Sequence, residues 1–192
     1  MKKILIGTHN KGKFKEIAFL ISKRYRKISP LSLNIISPKE TGKTFASNSK
    51  IKALYFSKFV NYPVISDDSG ICIKSLKNKP GIYSARLAKK KGSFLKAMKF
   101  ILKKMEPKKT RSAFFVCSLT YKAPHQKPVT VIGKIHGSIS KKILGKKGFG
   151  YDPIFIPKTR NKTFGQIAKL EKIKIDHRFI AFKKLRKKIK TL

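Results

Sequence analysis

Acidic side chains are scarce in this chain: 8 Asp and Glu stand against 48 Lys and Arg among 192 residues, a formal net charge of +40. Each carboxylate that is present therefore stands out. Cysteine is scarce too. Cys72 and Cys117 both fall in apolar, strand-like runs. Two cysteines without metal-ligand spacing exclude a disulfide scaffold and suit a reducing compartment. No apolar run reaches the roughly 20 residues of a membrane span. The start, Met1-Lys2-Lys3-Ile4-Leu5-Ile6, imitates a signal peptide, but its apolar run stops at Gly7, too soon for one. There are no internal repeats and no low-complexity block. A cytoplasmic protein with no membrane segment is expected.

What is present supports a folded globule. Hydrophobic residues make up 41% of the chain, and 192 residues suffice for one domain with a buried core. The charge has two readings. One is a polyanionic partner: RNA, DNA, an anionic membrane surface or a phosphorylated small molecule. The other is lysine accumulated on solvated faces, because lysine recurs in nearly every segment.

The chain is organised around Val64-Ile65-Ser66-Asp67-Asp68-Ser69-Gly70-Ile71. It reads as a short apolar strand ending in two adjacent carboxylates. Like charges repel, and a hard divalent cation such as Mg²⁺ would compensate them. The alternative is an Asx-type turn, since Asp, Ser and Gly all favour turns.

In chain order, residues 3–7 read as a buried strand. Thr8-His9-Asn10-Lys11-Gly12-Lys13 follows, then a helical pattern with Phe14, Ile17, Leu20 and Ile21 on one face. The turn is either a phosphate site at a helix N-terminus or an ordinary strand-to-helix connection. Leu33 to Ile36 reads as a second strand. A helix is predicted from about Phe45 to Phe59, with Thr44 as N-cap. Asn48 and Lys52 share one of its faces, although Lys52 alone carries no functional signal. Glu40, read alone, is a loop carboxylate paired with the nearest lysine. Ile71 to Ile73 continues as strand, and Lys79 to Arg86 is a turn leading into a small-residue segment. A second amphipathic helix is predicted from Ser93 to Met105. Arg111 to Tyr121 and Val129 to Ser138 read as two strands. In Gly148-Phe149-Gly150-Tyr151-Asp152-Pro153 the glycines allow close backbone approach, and Phe149 is placed to stack on a base; an aromatic turn is the plain alternative. His177 alone reads as an ordinary surface or core histidine. A basic last helix runs to about Lys190 and is expected to dock through Phe179, Ile180, Phe182, Leu185 and Ile189.

Taken together, these blocks resemble the inosine/xanthosine triphosphate pyrophosphatase family over essentially the whole chain. Thr8, Asn10 and Lys13 match its opening motif. Glu40-Thr41-Gly42, Thr44-Phe45, Asn48 and Lys52 match the second block, and Ser66 to Gly70 the central one. Pro80 to Arg86, Gly148 to Pro153, and Glu171-Lys172 with His177-Arg178 complete the set.

The resemblance implies Mg²⁺-dependent cleavage of non-standard purine nucleoside triphosphates (ITP, dITP, XTP) between the α and β phosphates. It implies Asp68 as the proton acceptor and a metal ligand, with Glu40 the other ligand and Asp67 an outer or additional one. Thr8, His9, Asn10, Lys11, Gly12, Lys13, Lys52, Ser69 and Arg86 would face the triphosphate. Phe149, Gly150, Tyr151, Asp152, Lys172, His177 and Arg178 would hold base and sugar. The implied fold is α/β: a long twisted mixed sheet flanked by helices, one two-lobed domain over residues 1–192 with the active cleft between the lobes. A homodimer is implied as well. Gln166, Ile173 and Asp176 depart from the family's acidic residue, Asn and Ser, close to the base-binding segments. Two competing readings remain. A basic nucleic-acid-binding protein is suggested by the charge, and a weak, salt-sensitive, non-specific nucleic-acid affinity is compatible with catalysis. The other is a nucleotide-binding regulator without turnover.

Overall fold

A computed structural model describes residues 1–192. Seven strands form one mixed sheet in the order β2-β1-β3-β5-β6-β7, with β4 paired to β3 off this path. The strands are β1 (Lys2–Gly7), β2 (Tyr25–Ile28), β3 (Val64–Ile73), β4 (Lys79–Pro80), β5 (Ser112–Lys122), β6 (Val129–Ile139) and β7 (Phe155–Pro157). The helices are α1 (Lys11–Leu20), α2 (Phe45–Phe56), α3 (Ser84–Lys90), α4 (Phe94–Met105), α5 (Lys169–Ile173) and α6 (His177–Lys188). β1 runs parallel to β2 and β3, whereas β4 and β7 lie antiparallel to their neighbours. No helix is long and apolar enough to cross a membrane.

The chain divides into two compact units. The first comprises Met1–Asp68, Cys117–Gly133 and Arg178–Leu192; the second comprises Ser69–Val116 and Lys134–His177. In the first, alternation along β1 sends Ile4 and Ile6 into a core with Ile17, Leu119, Phe182 and Leu185, while Leu5 joins Ile35, Phe56 and Val64 in another. Each such side chain removed from water contributes about 1.5–3 kcal/mol. The second unit is filled by Phe155 and Phe164, with Phe115 edge-on to Phe155 at 4.6 Å between centroids.

Local chemistry sets the helix starts. The Asn10 side chain accepts from the Lys13 amide to cap α1. Thr44 and Ser47 form a capping box at α2, and Ser93 caps α4.

Several expectations need correction. Leu33 to Ile36 is not a strand. Ser29 and Pro30 start a 3-10 turn over Pro30–Leu33, and Asn34 closes it in the left-handed region at φ 53. The second strand is instead Tyr25–Ile28. Asp67 and Asp68 do not end a strand; β3 carries them at its middle and runs on to Ile73. The helix expected to reach Phe59 stops at Phe56, and its buried face is Asn48, Ser49, Lys52, Ala53 and Phe56. The segment ending at Arg86 is helical, and α3 continues to Lys90.

Candidate active site

Five of the eight acids are buried: Glu16, Asp67, Asp68, Asp152 and Asp176. Of the 48 basic residues only Lys52, Lys172 and Arg178 are. A buried charge persists only when paired and hydrogen-bonded, so the acids mark where this chain has spent stability.

Four acids gather in the first unit. Lys13 Nζ, from the first turn of α1, lies 3.1 Å from Asp67 Oδ2, and Arg178 Nε lies 4.0 Å from the same oxygen. Arg178 Nη1 donates to Glu16 Oε2 at 2.8 Å. Lys52 Nζ donates to Glu40 Oε1 at 3.0 Å, and Asn48 Nδ2 donates to Asp68 Oδ2 at 3.1 Å. Asn48 and Lys52 stand one turn apart on α2, so a single helix face addresses two carboxylates. That face is fixed by hydroxyls. Ser49 Oγ lies 2.8 Å from Ser118 Oγ and 2.9 Å from Thr120 Oγ1, and Thr120 Oγ1 lies 2.9 Å from Thr130 Oγ1.

The two adjacent aspartates differ in character. Burial pushes Asp67 upward, but Lys13, Lys52 and Arg178 outweigh it and hold the carboxyl at about 2. For Asp68 burial wins over Lys13 and Lys52, with Glu40 adding repulsion, and its pKa rises to about 6. Lys52 is raised: burial opposes its charge, and Asp67, Glu40 and Asp68 together prevail. One carboxylate is thus firmly ionised, and its neighbour exchanges a proton near neutrality, as a general base requires.

The rest of the α1 turn is ordered around these groups. Thr8 is buried and its Oγ1 receives the Asn10 amide at 3.3 Å, while His9 Nε2 lies 2.9 Å from the Ile35 carbonyl. Lys11 and Gly12 form the first residues of α1. Of the three lysines expected to face phosphate, Lys13 and Lys52 each rest on a carboxylate, and Lys11 is exposed. They are the cations a triphosphate would draw upon.

Glu40 and Asp68 fit a hard divalent cation. No three of His, Cys, Asp and Glu converge into a self-sufficient cage. Mg²⁺, however, is usually held by one or two carboxylates together with substrate phosphates and waters. Asp68 is buried, is repelled by Glu40, and accepts from the neutral Asn48 amide. A cation there relieves the repulsion.

In the second unit, Asp152 Oδ2 accepts from Lys172 Nζ at 2.6 Å and from the Phe149 amide at 2.8 Å. Lys172 Nζ also lies 4.6 Å from the Phe149 ring centroid. The loop needs its glycines: Gly148 has φ +75, and a Cβ there would lie 2.2 Å from Asp152 Oδ2, while Gly150 has φ +66. The Tyr151 hydroxyl donates to the Ser84 carbonyl at 2.8 Å, and burial pushes its pKa up. His177 is buried and stacks on Phe115 at 4.8 Å between centroids and 11° between planes. Ser69 is half-buried on β3. Arg86 is exposed, its guanidinium 5.2 Å from the Tyr83 ring centroid.

Residues 4–188 match the Ham1 family. The chain belongs to the Ham1 family. It is 39% identical over 189 residues to a dITP/XTP pyrophosphatase of Dictyoglomus thermophilum, covering 95% of this chain and 92% of that one. Among solved structures, it resembles the Ham1 protein of Staphylococcus aureus, with a TM-score of 0.87, 33% identity and 98% of each chain covered. A HAM1 protein of Coxiella burnetii gives a TM-score of 0.88 at 30% identity over 100% of both chains.

Within this Ham1 fold, the residues expected at base and sugar fall in different units. Lys172 and His177 belong to the second unit, while Arg178 joins the acids of the first. Sequence reasoning missed Glu16 and the Ser49–Ser118–Thr120 hydroxyls. The signal for Glu16 was an acid, in a chain with eight, set beside Ile17 on the apolar side of α1. Of the departing residues, Gln166 Oε1 accepts from the Thr163 amide at 3.0 Å, Ile173 is core, and Asp176 is buried at the residue before α6.

Proposed function

We propose that this chain hydrolyses non-standard purine nucleoside triphosphates, of the ITP, dITP and XTP kind, to the monophosphate and pyrophosphate. The observation that carries it is the buried aspartate pair: Asp67 held by Lys13 at 3.1 Å beside Asp68, which accepts from Asn48 at 3.1 Å, with Lys52 on Glu40 at 3.0 Å and burial raising the Asp68 pKa. Asp68 takes a proton from water as its oxygen bonds to phosphorus. The bridging bond between the α and β phosphates breaks, and pyrophosphate leaves. Lys13 and Lys52 exchange carboxylate for phosphate oxygen and hold the departing charge; positioning and electrostatics supply most of such catalysis. Mg²⁺ held by Glu40 and Asp68 would supply further charge neutralisation at the phosphates. As the resemblance implies, Phe149, Gly150, Tyr151, Asp152, Lys172, His177 and Arg178 hold base and sugar. Donors aimed at a 6-keto oxygen reject a 6-amino purine, because buried donors would be left unpaired. We place this activity in the cytoplasm, carried out by a homodimer.

The test is pyrophosphate release across ITP, dITP, XTP, GTP and ATP with Mg²⁺, before and after chelation. Preference for the 6-keto, non-standard bases and loss of turnover on chelation, with the fold retained, are expected. Equal turnover of ATP would overturn the base assignment, and full activity in chelator would overturn the metal assignment.

A further inference from the structure

The second unit holds a cavity of about 370 Å³ that the proposed reaction does not use as a whole. Its apolar lining includes Pro80 of β4, Tyr83, Leu87 of α3, and Phe100 and Ile101 of α4. That volume lies within the ~300–1,000 Å³ of small-ligand pockets. Tyr83 is 55% exposed, unusual for an aromatic beside an apolar cavity. The charged residues lining it are all cations, Lys79, Arg86 and Lys90, and all are exposed. Lys91 adds another, its Nζ 4.0 Å from the Phe100 ring centroid. Of the chain's eight acids only Glu106 and the side chain of Glu171 are well exposed, and Glu171 is paired with Arg160, so few surface carboxylates compete for these lysines.

We propose that this cavity receives one base of a single-stranded nucleic acid, with the flanking phosphates on Lys79, Lys90 and Lys91. A strand presents flat faces alternating with negative charges, and an exposed aromatic among apolar and cationic lining residues matches both. Charge complementarity chooses this occupant. A second copy of the chain would bring its own cations against these. The proposal is independent of the pyrophosphatase activity: it adds a localised, stacking-dependent contribution to the diffuse attraction that a net charge of +40 exerts on any polyanion.

The test is fluorescence anisotropy of a labelled 12-mer of oligouridylate on the full chain over a range of NaCl concentrations. Tyr83→Ala is expected to weaken binding roughly 5- to 100-fold without changing the salt slope, the signature of lost stacking. Tyr83→Phe should restore it. Lys90→Glu should weaken binding and flatten the slope, whereas Lys187→Glu on α6 should weaken it less than about twofold. Three results would overturn the proposal. Equal losses for Lys90→Glu and Lys187→Glu with none for Tyr83→Ala would leave only the overall field. Displacement of the 12-mer by a modest excess of inosine monophosphate would make the cavity part of the substrate site. A Tyr83→Ala variant that binds normally but sediments as a smaller species would assign the cavity to a second copy.

Discussion

The two units each bury carboxylates beside lysines, and they do so to opposite ends. In the second unit Asp152 is saturated. One oxygen takes both the Lys172 ammonium, from α5, and the Phe149 amide, from the glycine loop. In the first unit four carboxylates share Lys13, Lys52 and Arg178, and Asp68 is left with a neutral amide and a raised pKa. A complete ion pair makes architecture; an incomplete one makes a base and a place for a metal. Chemistry should therefore be concentrated where neutralisation falls short.

The sharpest way to break this contrast is Asp68→Asn. Turnover of ITP should fall about 10³-fold, within the range for loss of a general base, while far-UV circular dichroism stays unchanged. Activity within tenfold of wild type would remove Asp68 from the chemistry. Lys172→Met should act the other way, costing about 3–5 kcal/mol in denaturant unfolding because Asp152 is left buried and charged. Lys52→Met should cost less stability, since Glu40 is partly open to water, and more turnover.

The aspartate pair also predicts opposite pH windows for stability. Asp68 has a folded pKa of about 6, above its unfolded value of 3.8. Its contribution is full below 3.8 and is lost as pH rises through 6, about 3 kcal/mol in metal-free protein. Asp67, at about 2, contributes above 3.8 and loses that contribution as pH falls toward 2. Unfolding free energies from pH 4 to 7 should decline for wild type and stay nearly level for Asp68→Asn. A level wild-type profile would mean that Asp68 is not perturbed.

The smallest effect expected is that of Ser49→Ala. Breaking the hydroxyl seam should cost about 1–2 kcal/mol of stability. Because the seam sets the rotation of α2, it should also lower kcat more than it raises KM. A purely apolar docking of α2 would leave both kinetic constants unchanged.

Much of the first unit's site was legible because its residues cluster in short blocks. Thr8 to Lys13 announces a cap and a helix start, and Thr44 does the same for α2. What could not be read locally is where partners come from. Asp67 and Asp68 looked like a strand end because two carboxylates within a buried strand make no sense without cations. The cations arrive from α1, α2 and α6. Tyr25–Ile28 has two apolar residues among basic ones and is strand only because it pairs with β1 from Lys2↔Tyr25 onward. Leu33 to Ile36 was misread against a signal that was present: Ser29-Pro30 starts a 3-10 turn. Lys52 looked like any surface lysine until Ser49, three residues earlier, turned its face inward.

Burying five of only eight carboxylates has a further outcome, for colloidal behaviour. Any pairing of this chain with a second copy is a meeting of two polycations, whose repulsion is screened over about 10 Å at 0.1 M salt. Added NaCl or phosphate should therefore move sedimentation toward the assembled form, the reverse of what is seen when subunits are held by opposite charges.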